Sequence, residues 1–172
     1  MASLTPAWDK LMATCFAKVD AERLERKIGY VLLGFRPIDN TYSIIILTGP
    51  PACGKSTVLH IIRKLFNNEN TNRIYAAIFH DWDLKNLDQF NPNGFIFTAT
   101  NITKGLFSLK PKHEGYYTAL DVMPHKCGSA PLPLEEYRQL VREITTTELD
   151  AIADKCKAHV KKRFPKDHFQ HP

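Results

Sequence analysis

The chain has 172 residues, 44% of them apolar and 24% charged, with a formal net charge of +5, which is ordinary for a globular protein with one core. No apolar run approaches the length of a membrane span, and the N-terminal "MASLTPAWDKLMATCFAKVD" carries charge through its apolar stretch, so neither a membrane segment nor a signal peptide is expected and the protein reads as intracellular. Cys15, Cys53, Cys127 and Cys156 lie far apart with no CxxC pair, which argues against a zinc site and a disulfide framework, while the positive balance suits a nucleic-acid partner without specifying one.

Residues 6–34 carry Leu11, Phe16, Val19, Leu24, Ile28, Val31 and Leu32 at three- and four-residue steps, which predicts helix with these as its buried stripe. Residues 1–36 thus read as a helical N-terminal segment. Pro37, Asp39 and Asn40 mark a loop. Residues 44–47 are a continuous apolar run, expected of a strand covered on both faces of a parallel sheet. Residues 57–66 predict a helix with Val58, Ile61, Ile62 and Leu65 on one face. A polar loop over 67–73 leads to a second apolar strand, 74–79, which closes in His80, Asp81, Trp82 and Asp83. A short helix is expected over 84–90, a turn over 91–94, and a third strand over 95–100 ending at Asn101. Residues 104–115 look like an exposed loop or hairpin, and 116–123 a fourth strand. The order strand–helix–strand–helix–strand predicts an α/β core over 41–123 with a short, mostly parallel sheet. Residues 131–172 read as a helical C-terminal segment, with Tyr137, Leu140, Val141, Ile144, Leu149, Ile152 and Val160 as its stripe and a loose tail after residue 163. The whole is expected to be a single domain.

Between the first strand and its helix stand Gly49, Pro50, Pro51, Ala52, Cys53, Gly54, Lys55, Ser56 and Thr57. They satisfy the GxxxxGK[ST] template of a P-loop in full. A glycine-rich turn points successive N–H groups inward to make an anion nest, and the following helix adds its positive end. Lys55 then reaches the β- and γ-phosphates of ATP, and the Ser56 hydroxyl reaches Mg²⁺. Cys53 fills a variable position of the template. A phosphate loop also needs an acid at the end of an apolar strand. Asp81 and Asp83 sit there, two apart and so on one face; one can serve the metal and the other polarise a water. Asn101 is expected to reach the γ-phosphate or its water from the strand beside the loop. Lys104, Lys110, Lys112 and His113, interleaved with Phe107 and followed by Tyr116 and Tyr117, are candidates for binding single-stranded nucleic acid.

The three stations in this order resemble the superfamily 3 helicases of small DNA viruses, phages and poxviruses, whose signature is a GPxxxGK[ST] loop, an acidic strand end and an apolar strand closing in Asn. "GFIFTATN" is similar to a strand of the related RNA-virus ATPases, and "RKIGYVLLGF" to the segment before the loop in phage and poxvirus primase-helicases. The resemblance covers residues 24–101. It implies a P-loop NTPase fold, ATP hydrolysis with Mg²⁺ at Ser56, Asp81 and Asp83, a phosphate sensor at Asn101, a homo-oligomeric ring on single-stranded nucleic acid, other replication proteins as partners, and a cytoplasmic or host-nuclear setting. The chain departs from the pattern in its short gaps, with Asp81 26 residues after Lys55 and Asn101 18 after Asp83. It also has no Arg from residue 74 to 137, so Arg138, Arg142 and Arg163 are the distant candidates for an arginine finger. Two other readings stay open: a nucleoside or nucleotide kinase, with Asp81 or Asp83 as base, and a non-catalytic nucleotide-binding module.

Overall fold

The structure is a computed structural model, and it describes residues 2–34, 36–37, 43–49, 53–69, 76–79, 95–100, 117–122, 132–161 and 169–170. The N-terminal region is two helices, α1 (Pro6–Cys15) and α2 (Lys18–Leu32), not one. The break at Phe16 and Ala17 resets the helical phase, which leaves Val19, expected in the buried stripe, 67% exposed. Helix then ends at Leu32, and Arg36–Pro37 forms a short strand, β1. Next come β2 (Ser43–Thr48), α3 (Lys55–Glu69), β3 (Ala76–Phe79), β4 (Phe95–Thr100) and β5 (Tyr117–Asp121). The C-terminal region is α4 (Leu134–Glu143), a π-helical stretch (Ile144–Glu148) and α5 (Leu149–Lys161). The tail is not wholly loose: Phe169–Gln170 forms β6, antiparallel to β1.

The main sheet runs β3-β4-β2-β5 with every pair parallel, so the architecture is α/β. β2 lies inside the sheet, as its unbroken apolar run requires. Ile45 and Leu47 belong to one buried cluster with Phe95, Phe97, Ala99, Leu120 and the helices, while Ile44, Ile46 and Ile96, one residue out of step, are also fully buried. This is the period of two acting on a strand covered on both faces. Helix α3 lies against β4 through an edge-to-face contact of Phe66 with Phe97, centroids 5.5 Å apart. Each such side chain contributes roughly 1.5–3 kcal/mol by leaving water.

The terminal helices pack on one another and on α3. At the α2–α5 crossing a Cβ on Gly29 would stand 2.2 Å from the carbonyl oxygen of Cys156, so only glycine admits this approach. One turn earlier on α2, buried Glu25 meets His159 at 3.1 Å and Lys155 at 3.7 Å, and Lys155 also pairs with Asp9 at 2.7 Å. The start of α1 is held from far along the chain. Pro6 has no N–H, the amides of Ala7 and Trp8 donate to the two oxygens of Glu148 at 2.9 Å each, and the Asp9 amide begins the ladder on the Thr5 carbonyl. Glu148 ends the π-helical stretch. There the hydroxyls of Thr145, Thr146 and Thr147 bond carbonyls of the preceding turn, which competes with the backbone ladder.

Candidate nucleotide-binding site

Strand β2 ends at Thr48 and the chain turns at Gly49, whose φ of 153° favours glycine. A side chain there would also collide with the Val122 carbonyl at 2.8 Å and the Cys53 sulfur at 3.0 Å. Beside it the Val122 amide donates to the Thr48 carbonyl at 2.7 Å, extending β5 past its last residue along the loop. The loop returns at Gly54, with φ 103°, and α3 begins at Lys55. The first helical bond follows at once, from the Val58 amide to the Gly54 carbonyl at 3.0 Å. Both template glycines therefore stand where backbone geometry requires them.

Lys55 is 7% exposed, with its side chain folded into the loop. Its Nζ donates to the Gly49 carbonyl at 2.7 Å and to the Cys53 sulfur at 3.4 Å, so the ammonium ties the end of the loop to its beginning. A buried ammonium needs such partners. Ser56 is exposed and Thr57 partly so, on the first turn of α3. Behind the loop, a Cβ on Gly54 would meet the Cys15 sulfur at 3.2 Å and the Tyr137 ring at 3.5 Å. Helices α1 and α4 thus form the loop's back wall. Burial pushes the Cys15 thiol up to about 12, and it raises the Tyr137 phenol too. Neither group ionises at neutral pH, so the wall adds no charge behind the nest. Tyr137 also accepts from the Leu132 amide at 3.4 Å.

The strands beside the loop finish at the same end of the sheet. Thr48 pairs with Thr100 on one side and Asp121 on the other, and β3 reaches Phe79, opposite Thr98 of β4. Ligands of parallel sheets bind at this carboxyl edge. The expected position of β4 beside the loop strand is met.

No protein-family model matches the chain, and comparison with curated proteins and with solved structures finds no match either.

Of the residues expected at the site, Gly49, Cys53, Gly54, Lys55, Ser56 and Thr57 come together in one loop and helix start. Pro50, Pro51, Ala52, Asp81, Asp83, Asn101, Lys104, Lys110, Lys112, His113 and Arg163 lie outside the described residues. Among the described residues no group of three or more His, Cys, Asp or Glu is placed to hold a metal ion. Sequence reasoning misses the wall. Tyr137 reads there only as a buried stripe residue, although a buried phenol on such a stripe signals a polar partner. Cys15 carries no local signal. Arg138 and Arg142, distant in sequence, line a cavity of about 490 Å³ together with Thr57.

Proposed function

We propose that the chain binds Mg-ATP at residues 49–57 and hydrolyses it, as a reduced relative of the superfamily 3 helicases acting on single-stranded nucleic acid. The observation that carries this reading is the buried Lys55 amine held against Gly49 and Cys53, inside a loop turned by two positive-φ glycines between a buried strand and a 15-residue helix. In this reading phosphate oxygens replace or join the Gly49 carbonyl as acceptors of the Lys55 amine. The N–H groups at the start of α3 and the helix dipole favour the same anion. Ser56, exposed on that turn, offers a hydroxyl to the metal. Ser56, with Asp81 and Asp83, would hold Mg²⁺, whose charge would offset the charge developing on the phosphates.

The sheet order supports the division of labour. Asn101 directly follows β4, the loop strand's neighbour, and suits a γ-phosphate sensor. Asp81 and Asp83 follow β3 in sequence, and β3 is the strand beyond β4 from β2. Carboxylates at a strand end suit action through a metal's water and on the attacking water. Lys104, Lys110, Lys112 and His113 follow the sensor strand in sequence, where nucleotide state can be coupled to a polymer. A homo-oligomeric ring and other replication proteins complete the proposal.

The test is ATP turnover with and without single-stranded DNA or RNA, alongside the mass in solution. Stimulated turnover at a ring-sized mass is expected. Turnover only with a nucleoside acceptor selects the kinase, and tight binding without turnover selects the binding module. Asp81→Asn, Asp83→Asn and Asn101→Ala are each expected to keep ATP binding and slow turnover; wild-type rates in all three remove the strand-end assignments. Lys104→Ala with Lys110→Ala is expected to flatten the salt dependence of single-strand binding by about 0.7 per lost contact. Equal slopes remove that loop from the binding surface.

A further inference from the structure

The cavity beside the first turn of α3 is not needed to hold phosphate, yet it opens next to the phosphate site. Thr57, one residue past Ser56, lines it, and α4 supplies Leu134, Glu135, Tyr137, Arg138, Val141 and Arg142. Its volume of about 490 Å³ lies inside the range of small-molecule sites. The lining has the make-up of such a site, apolar walls with a few convergent polar groups. Leu134 is 64% exposed although it is a large apolar residue at the cavity. Arg138 is engaged by Glu135 at 2.8 Å, whereas Arg142 has no ion pair among the described residues. Tyr137 joins the two places, since its ring lines the cavity and also backs Gly54 of the loop.

We propose that this cavity seats the base and ribose of the bound nucleotide, and that Arg142 is the residue that holds them; the proposal rests on the phosphate-site reading above. A triphosphate gripped at Lys55 and Ser56 has a nucleoside at its other end, and this cavity is lined by Thr57, the next residue on the same turn. A planar guanidinium suits this role, because it stacks on a base face and donates to ribose oxygens or the phosphate next to them. Leu134 and Val141 offer the apolar surface against which a base loses water. In this account α4 decides which nucleotide is accepted, while the loop accepts any phosphate chain.

The test compares Mg-ATP with Mg-tripolyphosphate, which carries the phosphates without the nucleoside. Both are titrated by calorimetry into the full chain, into Arg142→Ala and, because the cavity has two kinds of wall, into Leu134→Glu. Wild type is expected to bind ATP more tightly than tripolyphosphate. Each variant is expected to lose roughly tenfold or more for ATP and to bind tripolyphosphate as wild type does. Unchanged ATP affinity in both variants overturns the proposal, as does equal loss of both ligands. Lys55→Ala separates the two claims, since it should weaken both ligands together. A wild type that binds neither ligand overturns the phosphate site and this inference with it.

Discussion

In the helical layer two buried carboxylates are matched to partners far along the chain. Glu148 takes the first amides of α1, and Glu25 meets His159 and Lys155. At the loop edge the buried polar group is Lys55, held by the loop that it closes, with Ser56 exposed beside it. One region uses its polar contacts to hold helices in place; the other uses a buried ammonium to close a loop. The two touch at Gly54, against which Cys15 and Tyr137 pack. The end of the loop at Gly54 is thereby backed by the layer rather than left as a surface turn.

Substitutions that act on one region and spare the other test this contrast. The largest effect is expected from Glu148→Ala, which strands two buried amides at the start of α1. A loss of about 2–4 kcal/mol of stability is expected, read by denaturant unfolding, and a change below about 0.5 kcal/mol would sink the capping account. Gly29→Ala comes next. Alanine in a helix would normally add up to ~1 kcal/mol, but here its methyl enters the Cys156 carbonyl, so overpacking wins and a net loss of about 1–3 kcal/mol is expected. A stabilised variant would show that the α2–α5 crossing is looser than described. Gly54→Ala sits at the junction. It places a side chain at φ 103°, a strain of roughly 1–3 kcal/mol, and it should lower both stability and Mg-ATP affinity. An effect on stability alone would separate the back wall from the site.

How much of this is legible in the sequence depends on range along the chain. The loop and β4 are readable because their signals are local: a fixed template, and an apolar run bounded by Gly94 and Asn101. The break between α1 and α2 is not, since no Gly or Pro marks it and helical spacing carries across it. Val19 falls on the wrong face for that reason. The pairing of Phe169–Gln170 with Arg36–Pro37 joins opposite ends of the chain and has no local sign. The same holds for Glu148: nothing near it in sequence says that its carboxylate caps a helix that begins at Pro6. The loop over residues 49–57 can be read from its own residues, whereas its wall requires the tertiary fold.

The smallest effect is expected from pH. Burial raises Glu25 and outweighs the opposite pull of Lys155 and His159. A raised carboxyl binds its proton more tightly when folded, so its contribution is full below the ordinary Glu value and fades as pH rises through the folded one. Asp9 runs the other way. Burial pulls it up, but hydrogen bonds from Lys155, Ser3 and Thr5 leave it lowered, so its contribution is present above the ordinary Asp value and is lost as pH falls through the folded one. Between pH 7 and 4, wild type should therefore gain stability relative to Glu25→Gln and, toward the bottom of that window and below it, lose stability relative to Asp9→Asn. Parallel pH profiles for all three proteins would contradict the description of this cluster.

The central claim is that residues 49–57 form a phosphate site that the helical layer supports without taking part in the charge contact. Calorimetric titration of Mg-ATP into wild type and Lys55→Ala, with thermal unfolding of both, tests it most directly. Removing the ammonium should cost about 1.5–3 kcal/mol of binding, at least a tenfold loss of affinity, while Lys55→Ala still unfolds cooperatively. Equal ATP affinity in a folded Lys55→Ala protein would contradict the claim.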